Sequence, residues 1–263
     1  MRLLLFIALT STIILMQTTA TQGQRVWNNK RCAVVLTYDD ALNVHLDNAI
    51  PALDAAGFKG TFYIIAQSEV LRKRLPEWRK AALNGHELGN HSLSHPCDAS
   101  KEGRSWVSPE TDLSKYSIHR TVNEIRVTNT LLEAIDGKTE RTFAYPCGDN
   151  MINGVNYYNE LEKEFAGARG VQSSFQQKDN INLNNIDCFF INNHSAEYMI
   201  DLVDKAIESG SLLVFLFHGV GGEHNIDVSL DAHNQLINYL KKKENDIWVA
   251  PLVDVAKYVK SNE

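Results

Sequence analysis

From residue 33 onward the chain alternates between short apolar runs and stretches of helical periodicity. The run 33–38 (AVVLTY) is unbroken and of strand length. Leu42, Leu46, Ala49, Ile50 and Leu53 then recur at helical spacing, and Gly57 ends that helix. The run 61–65 (TFYII) is β-branched and aromatic and predicts a second buried strand. A helix follows over 68–84, interrupted near Pro76, and 85–89 leaves room for a very short third strand. Ile118, Val122, Ile125 and Leu132 mark another helix. The run 142–145 (TFAY) is a strand stopped by Pro146 and Gly148. The pattern predicts a helix over 155–165 and strands at 168–171 and 186–191. Ser195 can cap a helix whose Met199, Leu202, Val203, Ala206 and Ile207 form one stripe. The run 212–217 (LLVFLF) is the most apolar strand. Leu236, Ile237 and Leu240 mark a helix, 248–250 a strand, and Pro251 opens a last helix. Stretches 96–116 and 172–185 are polar, without a period, and read as loops.

Apolar strands alternating with helices predict an α/β fold with a parallel sheet covered by helices. Seven or eight such units in about 240 residues point to a TIM-like barrel, with an open doubly wound sheet as the alternative. No repeat or linker divides residues 21–263, which are expected to form one domain.

Residues 1–20 do not fit this alternation. Arg2, an apolar core at 3–16 and the small residues Thr18, Thr19 and Ala20 have the form of an export signal. The core is short for a membrane span, so a secreted or periplasmic protein is expected. The formal charge is −6, and −7 without residues 1–20, which hold only Arg2. An acidic exported chain is a poor binder of nucleic acid or anionic membranes, and neutral or weakly cationic substrates suit it better. Its four cysteines, Cys32, Cys97, Cys147 and Cys188, are widely spaced and include no CxxC pair, which argues against a structural zinc site.

The unusual polar residues fall where predicted strands end. Asp39 and Asp40 end the first strand, His91 and His95 follow the third, Tyr145-Pro146-Cys147-Gly148 the fourth, and His218 the 212–217 strand. Parallel α/β folds assemble their sites on that rim. Each residue alone has a bland reading: a helix cap for the aspartates, a packed core histidine for His218, turn punctuation for Pro146 and Gly148. Together they have a chemical logic. His91 and His95 are four apart, so on one helical turn both imidazoles would face the same way. Two histidines and a carboxylate, Asp40, form a common zinc shell that leaves a position for water. Asp39 then stays free to accept a proton, and His218 can give one to a leaving group. The metalloprotease pattern needs a glutamate where this chain has Ser92, which disfavours a zinc peptidase.

At these residues the chain resembles the polysaccharide deacetylases of the NodB-homology type, carbohydrate esterase family 4. Thr37-Tyr38-Asp39-Asp40, His91-Ser92-Leu93-Ser94-His95, Phe143-Ala144-Tyr145-Pro146-Cys147-Gly148 and the run 212–218 stand in the order of the family's motifs. The resemblance implies a distorted (β/α)7-type barrel and a secreted hydrolase that removes N- or O-linked acetyl groups from a carbohydrate. It implies Asp39 as base, Asp40, His91 and His95 as ligands of Zn2+ or a related ion such as Co2+, and His218 as acid. The backbone N–H of Cys147 would hold the oxyanion. A non-catalytic carbohydrate-binding protein on the same barrel is the alternative. The chain departs from the family where many members carry an arginine, at Ala144, and Arg169 is the candidate replacement. The fourth motif is not evident, and Asp187 is its only candidate. Cys97 and Cys147 both fall on the rim and are expected to pair, with two free thiols as the alternative. Cys32 belongs at the opposite end of the barrel, and Cys188 reads as a buried small hydrophobe. Asn90 and Asn193 each begin a glycosylation sequon, and a glycan on Asn90 would crowd the metal.

Overall fold

The computed structural model describes residues 26–261, and the expected export signal at 1–20 lies outside them. Strands β1 (Cys32–Asp39), β2 (Thr61–Ile64), β3 (Glu87–Asn90), β4 (Thr142–Ala144), β5 (Gly167–Arg169), β6 (Phe189–Phe190), β7 (Leu212–Phe217) and β8 (Ile247–Val249) form one parallel sheet. Its order is β5-β4-β3-β2-β1-β7-β6, with β8 added to β1. One edge of β1 is shared: Cys32, Ala33 and Val34 pair with β8, and Thr37, Tyr38 and Asp39 pair with β2. The other edge pairs with β7 from Ala33 to Tyr38. The segment 186–190 joins the two ends of this order. Ile186 bridges Arg169 of β5, and three residues on Phe189 pairs with Phe215 of β7. The sheet therefore curls into a distorted (β/α)7-type barrel rather than an open doubly wound sheet.

The period of two along β1 sorts its side chains. Val34, Leu36 and Tyr38 join the cluster under helices α1 (Ile50–Ala56), α3 (Leu75–Leu83), α5 (Ala196–Ser209) and α6 (Leu230–Lys242). Ala33 and Val35 join a second cluster with Tyr63, Ala144, Val214 and Leu216 inside the barrel. Asp39 continues this second parity, which puts its carboxylate inside the barrel at the C-terminal rim.

Most of the helical stretches stand as expected. Ser195 caps α5 by accepting from the N–H of Tyr198, and α7 (Leu252–Lys260) begins directly after Pro251. The 68–84 helix divides into α2 (Glu69–Lys73) and α3 at Arg74, with Pro76 tolerated in the first turn of α3. The helix expected over 155–165 is absent. Met151–Ile152 and Val155–Asn156 form an antiparallel hairpin, and 310 turns follow at Tyr157–Glu160 and Glu162–Glu164. Asn153 and Gly154 both have positive φ, 49° and 78°, as a tight hairpin turn requires. That turn takes the register, and Tyr157, Tyr158, Leu161 and Phe165 still pack against Phe143 from the 310 turns. The strand expected over 186–191 shrinks to β6 plus the bridge at Ile186.

Candidate active site

Three loops at the barrel rim converge. Asp40 Oδ1 lies 3.5 Å from His91 Nε2 and 3.7 Å from His95 Nε2. Asp40 Oδ2 lies 4.0 Å from His218 Nε2. Asp39 Oδ2 lies 3.7 Å from His91 Nε2. The five residues singled out at strand ends therefore share one site.

The two histidines do not meet on a helical turn. Residues 91–95 are irregular, with positive φ at Ser92 (65°) and His95 (53°). Asn90 holds this turn. Its Oδ1 accepts from the N–H of Ser92 at 2.8 Å, and its Nδ2 donates to Ile125 O and Asn129 Oδ1 on α4 (Ile118–Asp136). The Ser92 hydroxyl accepts from the N–H of His95 at 3.0 Å. Asn90 is fully buried, which leaves no room for a glycan in the folded chain. Asp40, Ala41 and Cys147 also have positive φ, at 80°, 57° and 55°. Such backbone is costly for residues other than glycine and is characteristic of functional sites.

His91 donates its Nδ1–H to the carbonyl of Ala144 at 2.9 Å, which leaves the Nε2 lone pair facing Asp40. Metal-ligating histidines are oriented in this way. Burial holds His91 down to about 3 and His95 down to about 4, so both imidazoles are neutral and able to coordinate. Burial also raises the Asp40 carboxyl, and the neighbouring Asp39 charge raises it further. Asp40 Oδ1 is buried and has no hydrogen-bond partner. An orphaned carboxylate oxygen facing two imidazole lone pairs fits a divalent cation. Asp40, His91 and His95 form one of two candidate metal groups among the described residues. The other, His95 with Cys97 and Cys147, has both sulfurs committed to a disulfide.

Arg169 is wholly buried, and its Nη2 donates to Asp39 Oδ2 at 2.5 Å. Its position explains why Ala144 needs no arginine. Ala144 and Arg169 are register partners on β4 and β5, so the guanidinium reaches the same carboxylate from one strand over. Burial alone would raise Asp39, but the Arg169 guanidinium beside it outweighs burial and holds the carboxyl below its ordinary value.

Cys97 and Cys147 form a disulfide with Cα atoms 5.8 Å apart, while Cys32 and Cys188 are buried free thiols. The polar stretch 96–116 is pinned at several points. Cys97 pairs with Asp112, and the buried Asp149 accepts from Lys101, Arg104 and the N–H of Asp98. Arg104 also donates to the carbonyl of Cys147 at 3.1 Å.

Asp187 does not take the place of a fourth motif. Its carboxylate accepts from the Ser174 hydroxyl at 2.5 Å, and His218 Nδ1 is buried without a partner. The His218 ring instead stacks on His224, with centroids 4.9 Å apart, and meets the edge of Phe190. His224 Nε2 lies 3.8 Å from Asp40 Oδ2. His224 is a site residue that periodicity could not find, because it stands in a short irregular loop. The one signal was its place six residues after His218, beyond Gly221 and Gly222.

The chain is 25% identical over 256 residues to a gellan lyase from a Bacillus species, matching 88% of this chain and 9% of that much longer protein. The polysaccharide deacetylase Bc1974 from Bacillus cereus superposes with a TM-score of 0.52 at 18% identity, covering 84% of this chain and 91% of that one. Puue allantoinase superposes with a TM-score of 0.63 at 12% identity, covering 89% and 92%. At these identities the structures establish the fold alone. The profile of the polysaccharide deacetylase family matches residues 28–166, which include Asp39, Asp40, His91, His95 and Cys147, and the chain belongs to that family.

Proposed function

We propose that the protein is an exported, divalent-metal-dependent hydrolase that removes acetyl groups, N- or O-linked, from a carbohydrate. The observation that carries this reading is the orphaned Asp40 Oδ1 between the Nε2 atoms of His91 and His95. These three would hold the ion, for which zinc suits an N2O donor set and cobalt is the alternative. Such an ion supplies a Lewis acid that polarises a carbonyl and lowers the pKa of water. Asp39, kept ionised by Arg169, takes the proton from the attacking water. His218, on the other side of Asp40, gives a proton to the departing amine or alcohol. The backbone N–H of Cys147 donates to the oxygen that becomes negative.

No member of the five-residue set is missing, which disfavours a non-catalytic carbohydrate-binding role. The export reading rests on Arg2, the apolar core and Thr18–Ala20, and a disulfide suits an oxidising compartment. The test is acetate release from a panel of acetylated glycans, with the protein as purified, chelated, and reloaded with zinc. Chelator-sensitive release restored by zinc is expected. Release that survives complete metal removal, or none from any acetylated glycan, would overturn the reading.

A further inference from the structure

The loop that carries Asp39 and Asp40 runs into a π-helical turn, His45–Ala49, before α1 begins. Single π turns are uncommon and gather at functional sites. This one buries His45 completely, against the rings of Tyr38 and Phe62 at 5.6 and 5.8 Å. An apolar side chain would fill that space at lower cost, because a buried imidazole needs partners. His45 has two. The N–H of Leu42 donates to its Nδ1 at 3.2 Å. That bond fixes the tautomer, so Nε2 carries the hydrogen and donates to the carbonyl of His218 at 2.7 Å. One imidazole thus spans from the loop of Asp39 and Asp40 to the backbone of His218. Among the described residues nothing grips the His218 ring by a hydrogen bond at Nδ1, and Asp187 is engaged with Ser174.

We infer that His45 is a positioning residue for His218. It fixes the His218 peptide through its carbonyl and so sets where the imidazole stands relative to Asp39 and Asp40. Stacking against His224 and Phe190 then limits ring rotation, in place of a carboxylate partner. This inference rests on the deacetylase reading for its effect on rate, but not for its effect on geometry.

The variant chain should fold, because other bonds join the same two segments. Glu223 accepts from Asn43 Nδ2 at 2.6 Å and from the N–H of Val44 at 2.8 Å, and Asn48 Nδ2 donates to Val220 O at 2.7 Å. The experiment compares His45→Leu, which deletes the donor, with His45→Gln, whose amide nitrogen can replace Nε2–H. Both are assayed on an acetylated glycan and on 4-nitrophenyl acetate, whose leaving group needs no proton. For His45→Leu, kcat on the glycan should fall about 10–100-fold with KM within about 2-fold, and nitrophenyl acetate turnover should fall less than about 3-fold. His45→Gln should recover most of the glycan rate, with zinc content unchanged in both. Equal losses on the two substrates, or no recovery with glutamine, would overturn the inference. If the wild-type protein releases no acetate, the deacetylase reading fails instead. The crystal structure of His45→Leu then decides alone: a displaced His218 ring supports the positioning role, and an unmoved ring removes it.

Discussion

At the scale of single residues, two neighbouring aspartates sit in different surroundings, which suits them to the different tasks proposed for them. Arg169 compensates Asp39, whereas Asp40 faces imidazoles and carries an unpartnered oxygen. Asp39→Asn should therefore lower acetate release by about 10³-fold or more while one equivalent of zinc stays bound. Elemental analysis showing metal loss in that variant would mean that the two roles are reversed. Arg169→Met leaves Asp39 buried without its partner and should cost roughly 3–5 kcal/mol of stability in denaturant unfolding. Adding Ala144→Arg should restore much of the activity, because register partners on adjacent parallel strands present their side chains to the same face. A double variant no better than Arg169→Met would show that the guanidinium must come from β5. Asp39, Asp40, His91, His95 and His218 were legible in the sequence because each stands at the end of a recognisable strand. Arg169 was legible only by default, as an arginine near a strand end where one was missing. His224 and His45 were not legible as site residues, because the contacts that bring them to the site, His224 with Asp40 and His45 with the His218 carbonyl, span 173 or more positions in sequence.

At the scale of elements, barrel strands hold Asp39 and Arg169, and the loops after the strands carry Asp40, His91, His95 and His218 together with the strained backbone. The disulfide ties the 96–116 stretch to the segment containing the Cys147 amide, and Asp149 reinforces the tie through Lys101 and Arg104. Closing a loop of 50 residues should contribute roughly 2–4 kcal/mol. Cys97→Ser with Cys147→Ser should lower the melting temperature and also lower kcat on the glycan, since Cys147 would lose its restraint. Unchanged kcat with a lowered melting temperature would make the bridge purely structural. The helix expected at 155–165 and absent from the structure belongs to this scale. Its apolar spacing suits a helix, but Asn153-Gly154 commits the chain to a tight hairpin first, and local turn geometry prevails over a weak period.

At the scale of the whole molecule, buried neutral histidines couple stability to pH. Burial lowers His45 and His233 from 6.5 to about 4 each. Below about 6.5 the unfolded chain takes up protons that the native chain refuses until about 4, so stability is full above 6.5 and falls as the pH drops through this window. Each should cost about 2 kcal/mol between about pH 7 and about pH 5. In chelated protein His91 and His95 add in the same direction. Urea unfolding at the two pH values checks this, with His233→Phe expected to reduce the difference. His233 packs on Tyr38 and Phe217, away from the site, and shares a hydrogen bond with the Tyr38 hydroxyl at 2.8 Å. A His233→Phe slope equal to that of the wild type would assign the acid sensitivity elsewhere.

The sequence by itself determined the alternation of strands and helices and the chemistry at the strand ends. Those follow from short-range patterns: period two, helical spacing, caps, and punctuation by proline and glycine. It could not say which face of β1 looks inward, because the run is apolar on both faces and only the packing of the two clusters assigns Asp39 to the barrel interior. Only the tertiary structure decided which strands lie side by side, and that settles the rest. Placing β5 beside β4 puts Arg169 opposite Ala144 and within reach of Asp39. Placing β7 beside β1 brings His218 over Asp40 and under the grip of His45. The turn at His91–His95 depends on Asn90 reaching α4, a contact 35 residues away in sequence to Ile125. Register and loop conformation are fixed by partners remote along the chain, and no local pattern encodes who those partners are.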